Sequence, residues 1–401
     1  MKYVVLLCDG MADQACAELG GKTPMELAAK PNMDALVPFS EMGTVCNVPQ
    51  GMSPGSDVAN LSVLGYDPQD CYTGRSPLEA ANIGIDLADD DVAFRCNLVT
   101  LSDDECYEDK RMVDYCGGDI HTDEADEIIK CVQAAFGGGE FDFYTGTAYR
   151  HCLVWHGGKT ELGKLTPPHD ISGRVIGEHL NKSEVAAPLL EMMKKSVTLL
   201  KDHPINQARK QAGENPANAI WLWGYGKRPQ MQKFTEKFNV SGAMVSAVDL
   251  LKGIARLTNM TVCEVEGATG YLDTNFKGKA QAAIHALKSG TDLVYIHVEA
   301  PDECGHRGEP QNKVKAIEMI DQLILAPLLK ELGEDLSILI LPDHPTPLCT
   351  RTHSSAPVPY LLYRSNKKQN NESLSFTEVN ADATGVCREK GSEMMQYFLS
   401  E

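Results

Sequence analysis

Short apolar runs alternate with amphipathic segments over much of this 401-residue chain. Uninterrupted apolar runs of about four to eight residues predict buried strands. They lie at residues 3–8, 219–223, 240–245, 261–265, 293–298 and 337–341. Helical periodicity predicts helices at 247–257, 277–287 and 313–331. This alternation predicts an α/β fold in which a mostly parallel sheet is sandwiched by helices.

Residues 87–212 follow a different pattern and form a candidate inserted domain. An acidic turn, Ala88 to Asp91, opens this segment, and a polar stretch containing Gly213 and Pro216 follows it. Its own predicted elements are strands at 92–96 and 152–155 and an amphipathic helix near 184–201. We therefore predict a discontinuous main domain, residues 1–86 and 213–401, interrupted by a smaller α/β domain.

Composition and charge narrow the function classes. The chain is 43% hydrophobic, enough for a large core, and its formal net charge of −19 argues against nucleic-acid or anionic-membrane partners. The 13 cysteines are scattered without a C-x-x-C pair, which favours a reducing, cytoplasmic location. The apolar start ends at Asp9, and no other run is long enough to span a bilayer.

Acidic and imidazole side chains follow three of the predicted strands. In parallel sheets the functional residues lie beyond the carboxyl ends of the strands. One aspartate follows the first strand, an Asp-x-x-x-His loop follows the strand at 293–298, and an Asp-His pair follows the strand at 337–341. A further histidine lies in the proline-containing loop beyond that pair. These residues are Asp9, Asp302, His306, Asp343, His344 and His353.

Each of these six residues alone has an ordinary structural explanation. Aspartate after a strand often caps the next helix, and a single histidine is commonly a hydrogen-bonded structural residue. Together they supply oxygen and nitrogen ligands for two divalent cations, with coordination positions left open for a substrate. The set contains no thiolate, which disfavours a purely structural zinc site.

Ser56 lies in a small, loop-like Gly-Ser-Asp sequence that leads into an apolar helix. A hydroxyl just before a helix usually caps the helix N-terminus. If the hydroxyl instead lies beside a pair of metal ions, the cations and the helix dipole both favour its alkoxide. Such an alkoxide can attack phosphorus, which makes Ser56 the candidate nucleophile.

Seven sequence motifs carry a resemblance to a known family. They are Cys8-Asp9-Gly10-Met11, Pro54-Gly55-Ser56-Asp57, Leu64-Gly65-Tyr66-Asp67-Pro68, Thr73-Gly74-Arg75-Ser76-Pro77-Leu78-Glu79-Ala80, Glu266-Gly267-Ala268-Thr269-Gly270-Tyr271, Ala300-Pro301-Asp302-Glu303-Cys304-Gly305-His306 and Pro342-Asp343-His344-Pro345-Thr346-Pro347. With these motifs the chain resembles the archaeal-type 2,3-bisphosphoglycerate-independent phosphoglycerate mutases of the alkaline phosphatase superfamily. The resemblance is dense over residues 1–100 and 216–360 and thin over about 101–200.

The resemblance implies two metal sites and a covalent intermediate. One metal would be held by Asp302, His306 and His353, and the second by Asp9, Ser56, Asp343 and His344. Ser56 would become phosphorylated during interconversion of 3-phosphoglycerate and 2-phosphoglycerate, an isomerase reaction of glycolysis and gluconeogenesis that needs no 2,3-bisphosphoglycerate. The family favours Mn²⁺, with Zn²⁺, Co²⁺ or Mg²⁺ as alternatives, because such mixed ligand sets bind several divalent ions.

The resemblance also implies that the inserted domain is a substrate-binding lid. Arg95, Arg150 and Lys227 match positions where the family keeps basic residues, and arginine suits carboxylate or phosphate. His169 is the candidate acid or base for the substrate hydroxyls. The segment Val113–Gly118 departs from the family pattern, because it lacks two expected arginines. This departure leaves the choice of substrate open.

Other functions were compatible with parts of the sequence. The main alternative is a metal-dependent phosphomonoesterase, or a mutase, that acts on another small phosphorylated metabolite. A non-catalytic metal-binding relative is a second alternative. The Gly-Lys-Thr sequences ending at Thr23 and Thr160 lack the earlier glycine of a phosphate loop. We predict a small phosphorylated metabolite as the only kind of partner, and a monomer or small homo-oligomer.

Overall fold

Thirteen strands and sixteen α-helices form within residues 1–333, 335–370 and 375–400, the part of the chain that the computed structural model describes. The strands are β1 (Lys2–Cys8), β2 (Ser40–Val45), β3 (Val92–Leu101), β4 (Met112–Asp114), β5 (Phe141–Thr147), β6 (Arg150–Trp155), β7 (Ala219–Lys227), β8 (Gly242–Val245), β9 (Thr261–Val262), β10 (Leu293–Val298), β11 (Leu336–Leu341), β12 (Val358–Arg364) and β13 (Cys387–Arg388). The helices are α1 (Pro24–Leu27), α2 (Pro31–Leu36), α3 (Ser56–Val63), α4 (Pro68–Cys71), α5 (Arg75–Asn82), α6 (Thr122–Phe136), α7 (Ala187–Leu200), α8 (Pro204–Ala212), α9 (Phe234–Phe238), α10 (Asp249–Leu257), α11 (Phe276–Lys288), α12 (Ala300–Arg307), α13 (Pro310–Ile320), α14 (Ala326–Leu332), α15 (Glu378–Ala383) and α16 (Met394–Leu399).

The first of two compact units, Met1–Tyr72 with Gln230–Glu401, contains an eight-stranded sheet. Its strand order is β13-β2-β12-β11-β1-β10-β8-β9. Only β12 runs antiparallel to its neighbours β11 and β2, and every other pair is parallel. The prediction of a mostly parallel sheet in an α/β fold is therefore confirmed.

The central strands of this sheet are covered on both faces. All six residues of β10 and all six of β11 are buried, as is β1 from Val4 onward. Parallel strands buried on both faces read as continuous apolar runs, which is why the sequence pattern identified them. One large core combines Val4 and Leu6 of β1 with Ile317 of α13. No helix in the described ranges is long and apolar enough to cross a bilayer.

The predicted helix at 313–331 is present but not uniform. Residues Asp321–Leu325 form a π-helical stretch between α13 and α14. The Asp321 carboxylate is buried and accepts hydrogen bonds from the backbone N–H groups of Met33 at 2.8 Å and Asn32 at 3.2 Å, and from Asn32 Nδ2 at 2.7 Å. These donors lie in the first turn of α2, so Asp321 satisfies amide groups that a helix N-terminus leaves unpaired.

The second compact unit spans Thr73–Pro229 and contains an antiparallel sheet. Its strands follow the order β4-β3-β6-β5, and β7 also pairs with β3. The core of this unit includes Phe94 of β3, Ile128 of α6 and Trp221 of β7. The segment 87–212 that the sequence suggested lies inside this unit, which also takes in α5 and β7.

The strand predicted at 219–223 belongs to the antiparallel sheet of the second unit, so its prediction as part of the parallel sheet is wrong. It forms the start of β7, which pairs antiparallel with β3 from Ala219 opposite Val99 to Lys227 opposite Val92. An apolar run predicts burial but does not specify the partner strand, and residues 219–223 are all buried here, as they would be in a parallel sheet.

A histidine between two aspartates ties together three parts of the second unit. His156 Nδ1 lies 2.8 Å from Asp91 Oδ1, and its Nε2 lies 3.0 Å from Asp142 Oδ2. Hydrogen bonds with Asp142 and Asp91 raise the pKa of His156, because both carboxylates favour the imidazolium. The interaction therefore favours the protonated, folded chain.

Replacing His156 by alanine should give a pH-dependent loss of stability. Because the folded-state pKa is raised, the contribution is fully present below about pH 6.5, the ordinary histidine pKa, and disappears as pH rises through the folded-state pKa. We expect the variant to lose at most about 1 kcal/mol of unfolding free energy, since the His156 ring is partly exposed. Urea unfolding of both proteins across this pH range measures it, with the exposed His121→Ala as control. A difference that stays flat or grows with pH would contradict the prediction.

Candidate metal centre

Ser56 is the first residue of α3, and its hydroxyl does not cap the helix. Gly55 occupies the N-cap position, and no side chain caps this end. Ser56 Oγ instead lies 3.4 Å from Asp9 Oδ2 and 3.3 Å from His344 Nε2. The ordinary N-cap explanation therefore does not apply, and the hydroxyl faces a carboxylate and an imidazole at the positive end of a helix.

The three strands that precede the candidate ligands are neighbours in the sheet. β1 lies between β10 and β11, and both pairs are parallel, so their carboxyl ends meet at one edge. Asp9 follows β1 directly, and Asp343 and His344 follow β11. The residues after β10 form helix α12 rather than the predicted loop. Asp302 and His306 are four residues apart on this helix, so they lie on the same helical face.

The six candidate ligands form one continuous cluster. His306 Nε2 lies 2.8 Å from His353 Nε2 and 3.2 Å from Asp302 Oδ2. His344 Nε2 lies 3.4 Å from Asp343 Oδ2 and 3.8 Å from Asp9 Oδ1. Two groups have ligand atoms within 4.8 Å of one another: Asp302 with His344 and His353, and Asp9 with Asp343 and His344. His344 belongs to both groups, so it joins the two ligand sets that the resemblance implies.

A close approach of backbone to side chain holds Asp302 in this cluster. Gly10, immediately after Asp9, has φ +61°, and a Cβ atom there would lie 2.5 Å from Asp302 Oδ1 and 2.6 Å from Asp302 Cα. Only glycine combines this left-handed conformation with the required space. In the Asp9-Gly10 sequence, Asp9 therefore supplies a candidate ligand and Gly10 leaves the space that lets α12 approach.

The charge balance of the cluster fits bound divalent cations. Asp9, Asp302 and Asp343 are at most 5% exposed, and Asp9 Oδ1 has no hydrogen-bond partner among the described residues. Burial and the nearby Asp343 and Asp302 carboxylates raise the pKa of Asp9 well above its usual range. Gathering buried carboxylates is costly unless a cation compensates them. The mixed oxygen and nitrogen donors suit divalent metal ions.

The two imidazoles nearest Asp302 show the same preference for a positive charge. Burial alone would raise the pKa of Asp302, but hydrogen bonds from His306 and His353 hold it well below its ordinary value. The Asp302 carboxylate in turn raises the pKa of His306 to about 9. The Asp302 carboxylate therefore favours a positive charge beside it.

Several residues that support the cluster were missed by sequence reasoning. Asn60 Nδ2 donates to Asp343 Oδ2 at 2.9 Å and to the Ser56 carbonyl at 2.8 Å, and Tyr295 donates to Asn60 Oδ1 at 2.6 Å. His297 Nε2 lies 2.8 Å from Asp9 Oδ2. Such partners orient ligands and adjust their basicity. A polar residue inside an otherwise apolar strand, as His297 is in β10, was the one available signal.

In the second unit, the structure brings Arg95 close to His169. Trp223 contacts both side chains: the Arg95 guanidinium lies 4.2 Å from its ring centre, and the His169 ring lies 5.4 Å from it. Burial lowers the pKa of His169, and the positive charge of Arg95 lowers it further. Arg95 Nε also forms a 2.9 Å ion pair with Glu79.

Arg150 belongs to the same cationic group, whereas Lys227 does not. Arg150 is one of the positive charges that lower the pKa of the largely buried Arg95, after burial itself, and its guanidinium lies 5.7 Å from the Tyr149 ring. Lys227 ends β7, where its carbonyl accepts a 2.5 Å hydrogen bond from Thr73. Lys227 is not among the charges that act on Arg95 or His169, and no hydrogen bond or ion pair joins its ammonium to another described residue.

Sequence reasoning also missed two members of this group on α5. Arg75 is another positive charge acting on both Arg95 and His169. Ser76 is 1% exposed, and its Oγ has no hydrogen-bond partner among the described residues. A buried hydroxyl without a hydrogen bond is a polar group that needs an explanation, and Ser76 follows Arg75 directly in the chain. Both residues lie in one of the motifs that carried the resemblance.

The segment that departs from the family pattern borders the same group. Tyr115 stands edge-on to the Tyr149 ring at 6.0 Å and to the His169 ring at 6.1 Å. The preceding Asp114 carboxylate accepts hydrogen bonds from the backbone N–H groups of Cys116 and Gly118, each at 2.9 Å. An aromatic side chain in a well-defined turn therefore lies where two arginines were expected.

The fold and this cluster define an α/β protein with a serine hydroxyl beside candidate ligands for two metal ions. A family profile described as 2,3-bisphosphoglycerate-independent phosphoglycerate mutase matches residues 39–206. A probable 2,3-bisphosphoglycerate-independent phosphoglycerate mutase from Geobacter sulfurreducens is 48% identical over 401 residues and covers 100% of both chains. A 2,3-bisphosphoglycerate-independent phosphoglycerate mutase from Methanosarcina barkeri is 47% identical and covers 98% of both chains.

Two solved structures resemble this chain over its whole length. A protein from Pyrococcus horikoshii superposes with a TM-score of 0.82 at 31% identity, covering 100% of this chain and 98% of that one. The cofactor-independent phosphoglycerate mutase from Thermoplasma acidophilum gives a TM-score of 0.68 at 26% identity, covering 100% and 99%. The chain belongs to the 2,3-bisphosphoglycerate-independent phosphoglycerate mutase family, which confirms the resemblance.

Proposed function

We propose that this chain interconverts 3-phosphoglycerate and 2-phosphoglycerate without 2,3-bisphosphoglycerate, through a phosphorylated Ser56. The proposal rests on one observation above all. In a chain related along its full length to these mutases, the Ser56 hydroxyl opens α3 within 3.4 Å of both Asp9 and His344. Membership of the family supports the substrate class, and the position of this hydroxyl supports Ser56 as the nucleophile.

The reaction needs two phosphoryl transfers. Ser56 Oγ forms a bond to phosphorus while the bond from phosphorus to the substrate oxygen breaks, and the released glycerate hydroxyl takes up a proton. The glycerate then turns, and its other hydroxyl attacks the phosphoserine, which releases Ser56. Escape of glycerate, or attack by water on the phosphoserine, would convert the mutase into a phosphatase.

Two divalent cations complete this proposal, with Mn²⁺ first and Zn²⁺, Co²⁺ or Mg²⁺ as alternatives. Asp302, His306 and His353 would hold one, and Asp9, Ser56, Asp343 and His344 the other. When bound, such cations favour the ionised serine and neutralise phosphoryl oxygens. The buried Asp9 Oδ1, which has no hydrogen bond among the described residues, and the surrounding carboxylates support this assignment.

The second unit is proposed to bind the carboxylate of the substrate. Arg95 and Arg150 supply positive charge, Arg75 adds to it, and the Ser76 hydroxyl is available as a hydrogen-bond donor. His169 is the proposed proton carrier for the glycerate hydroxyls. Its lowered pKa leaves the imidazole neutral near pH 7, as a general base requires.

A product assay tests this function directly. With 3-phosphoglycerate and Mn²⁺ but no 2,3-bisphosphoglycerate, phosphorus NMR should show 2-phosphoglycerate accumulating to equilibrium, with little free phosphate. Treatment with a chelator should abolish the activity, and Mn²⁺ should restore it. Predominant release of free phosphate would favour a phosphomonoesterase. Because Tyr115 lies where arginines were expected, other phosphorylated three- and four-carbon acids belong in the same assay, and faster turnover of one of them would revise the substrate.

A further inference from the structure

Two cysteines on neighbouring strands of the first unit lie side by side. Cys387 pairs with Thr44 in the parallel β2–β13 ladder, and Cys46 follows Thr44 by two residues. Cys46 N donates to the Arg388 carbonyl at 2.9 Å, which continues the ladder past the end of β2. Alternate residues of a strand share one face, so both thiols project from the same face of the sheet. Burial raises the pKa of the Cys46 thiol, and the neighbouring Cys387 side chain raises it further.

One of the two thiols is open to small molecules. Cys387 is exposed and lines a cavity of about 670 Å³, whereas Cys46 is only partly accessible. Lys237, Arg388 and Lys390 also line this cavity, together with the acidic Glu389 and Glu393. A solvent-accessible thiol with a second thiol beside it on the same face of a sheet is the arrangement of a redox-sensitive pair.

We propose that Cys46 and Cys387 form a reversible intramolecular disulfide when the chain meets a hydroperoxide. The Cys387 thiolate attacks the peroxide and the O–O bond breaks. Cys387 becomes a sulfenic acid, and one molecule of alcohol or water is released. The Cys46 sulfur then attacks that sulfur, the S–O bond breaks, and a water molecule leaves. Two thiols lose two electrons and two protons in total, and the peroxide takes up both.

The location of β13 allows the strands to close this bond. A disulfide requires an S–S distance near 2.05 Å and a Cβ–Cβ distance near 3.8 Å, so these diagonal neighbours must move closer together. β13 has two residues and lies at the edge of the sheet, with β2 as its only neighbour in the strand order. A short edge strand can shift without disturbing a second ladder.

The cross-link would act on a segment that reaches the candidate metal centre. Asn47 follows Cys46, and its Nδ2 donates to the Asp343 carbonyl at 3.0 Å and the Pro342 carbonyl at 3.2 Å. Gly391 N, four residues after Cys387, donates to the Cys46 carbonyl at 2.8 Å. We therefore expect the disulfide to lower the activity. This consequence rests on the proposed function, whereas the disulfide itself does not.

Peptide mapping of the full chain after hydrogen peroxide treatment tests the proposal. Free thiols are alkylated under denaturing conditions before digestion without reductant. We expect a linked peptide containing Cys46 and Cys387, the loss of two free thiols per chain, and recovery of both with dithiothreitol. The linked peptide should persist in Cys349→Ser, which removes another exposed thiol. It should be absent from Cys387→Ser, in which Cys46 should stay reduced.

The proposal is overturned if both cysteines of the oxidised wild-type chain are recovered alkylated. It is equally overturned if Cys387 is found as sulfinic acid beside a reduced Cys46, since the second thiol would then have failed to react. Both readings come from peptide masses, so they hold whether or not the chain proves to be a mutase. Recovery of activity with dithiothreitol is measured separately, with Cys46→Ser as the variant that cannot cross-link.

Discussion

Replacing Ser56 by alanine should lower mutase turnover by roughly 10⁴- to 10⁶-fold, the loss expected when a nucleophile is removed from an enzyme that works through a covalent intermediate. The methyl group of alanine keeps the helix start intact, because Gly55 and not Ser56 is the N-cap. Ser56 is itself a proposed ligand of one metal ion, but the carboxylates and imidazoles of the cluster remain, so at least one metal ion should stay bound. The loss should therefore appear in kcat and not in folding.

Three measurements separate this prediction from a structural effect. Turnover of 3-phosphoglycerate gives the loss, mass spectrometry of the wild type trapped during turnover should find phosphate on the peptide containing Ser56, and elemental analysis gives the metal content. Ser53→Ala, which removes an exposed hydroxyl from the same loop, should keep nearly full activity. Turnover above about a hundredth of wild type in Ser56→Ala would show that another group is the nucleophile.

The sequence located the candidate site through the ends of its strands. Asp9, Asp343 and His344 follow apolar runs that could be recognised locally, and neighbouring parallel strands carry such residues to one edge. The supporting contacts could not be found this way. Asn60 meets Asp343 across 283 positions of sequence, and neither residue carries a local signal of the pairing. The roles of the assembled side chains stay predictions until they are tested.

The fold shows the same division between local and distant information. Length and apolarity predicted β1, β10 and β11, since these strands are buried on both faces. The same signal misassigned β7, because burial does not specify which sheet buries a strand. The π-helical stretch could not be predicted either. In the sequence Asp321 is an ordinary polar residue, and its donors Asn32 and Met33 are distant in the chain.

A buried ion pair holds the loop that follows His344. Lys313 Nζ donates to Asp13 Oδ2 at 2.7 Å and to the Thr346 carbonyl at 2.8 Å, and both charged side chains are at most 1% exposed. Asp13 also accepts from Leu348 N at 3.2 Å. The Thr346 hydroxyl donates to Asp302. The Lys313–Asp13 pair therefore stabilises a loop that contacts the candidate metal centre.

Replacing Lys313 by methionine should therefore destabilise the chain by about 3–5 kcal/mol, because it leaves the Asp13 carboxylate buried without a counter-charge. The additional change Asp13→Asn should restore much of this loss, since an amide oxygen still accepts from Leu348 N and carries no charge. Lys315→Met, at an exposed position of the same helix, should change stability little. Urea unfolding of the four proteins measures these differences. A loss below about 1 kcal/mol, the usual worth of an exposed ion pair, or a double variant no more stable than Lys313→Met, would show that the buried pair does not support this loop.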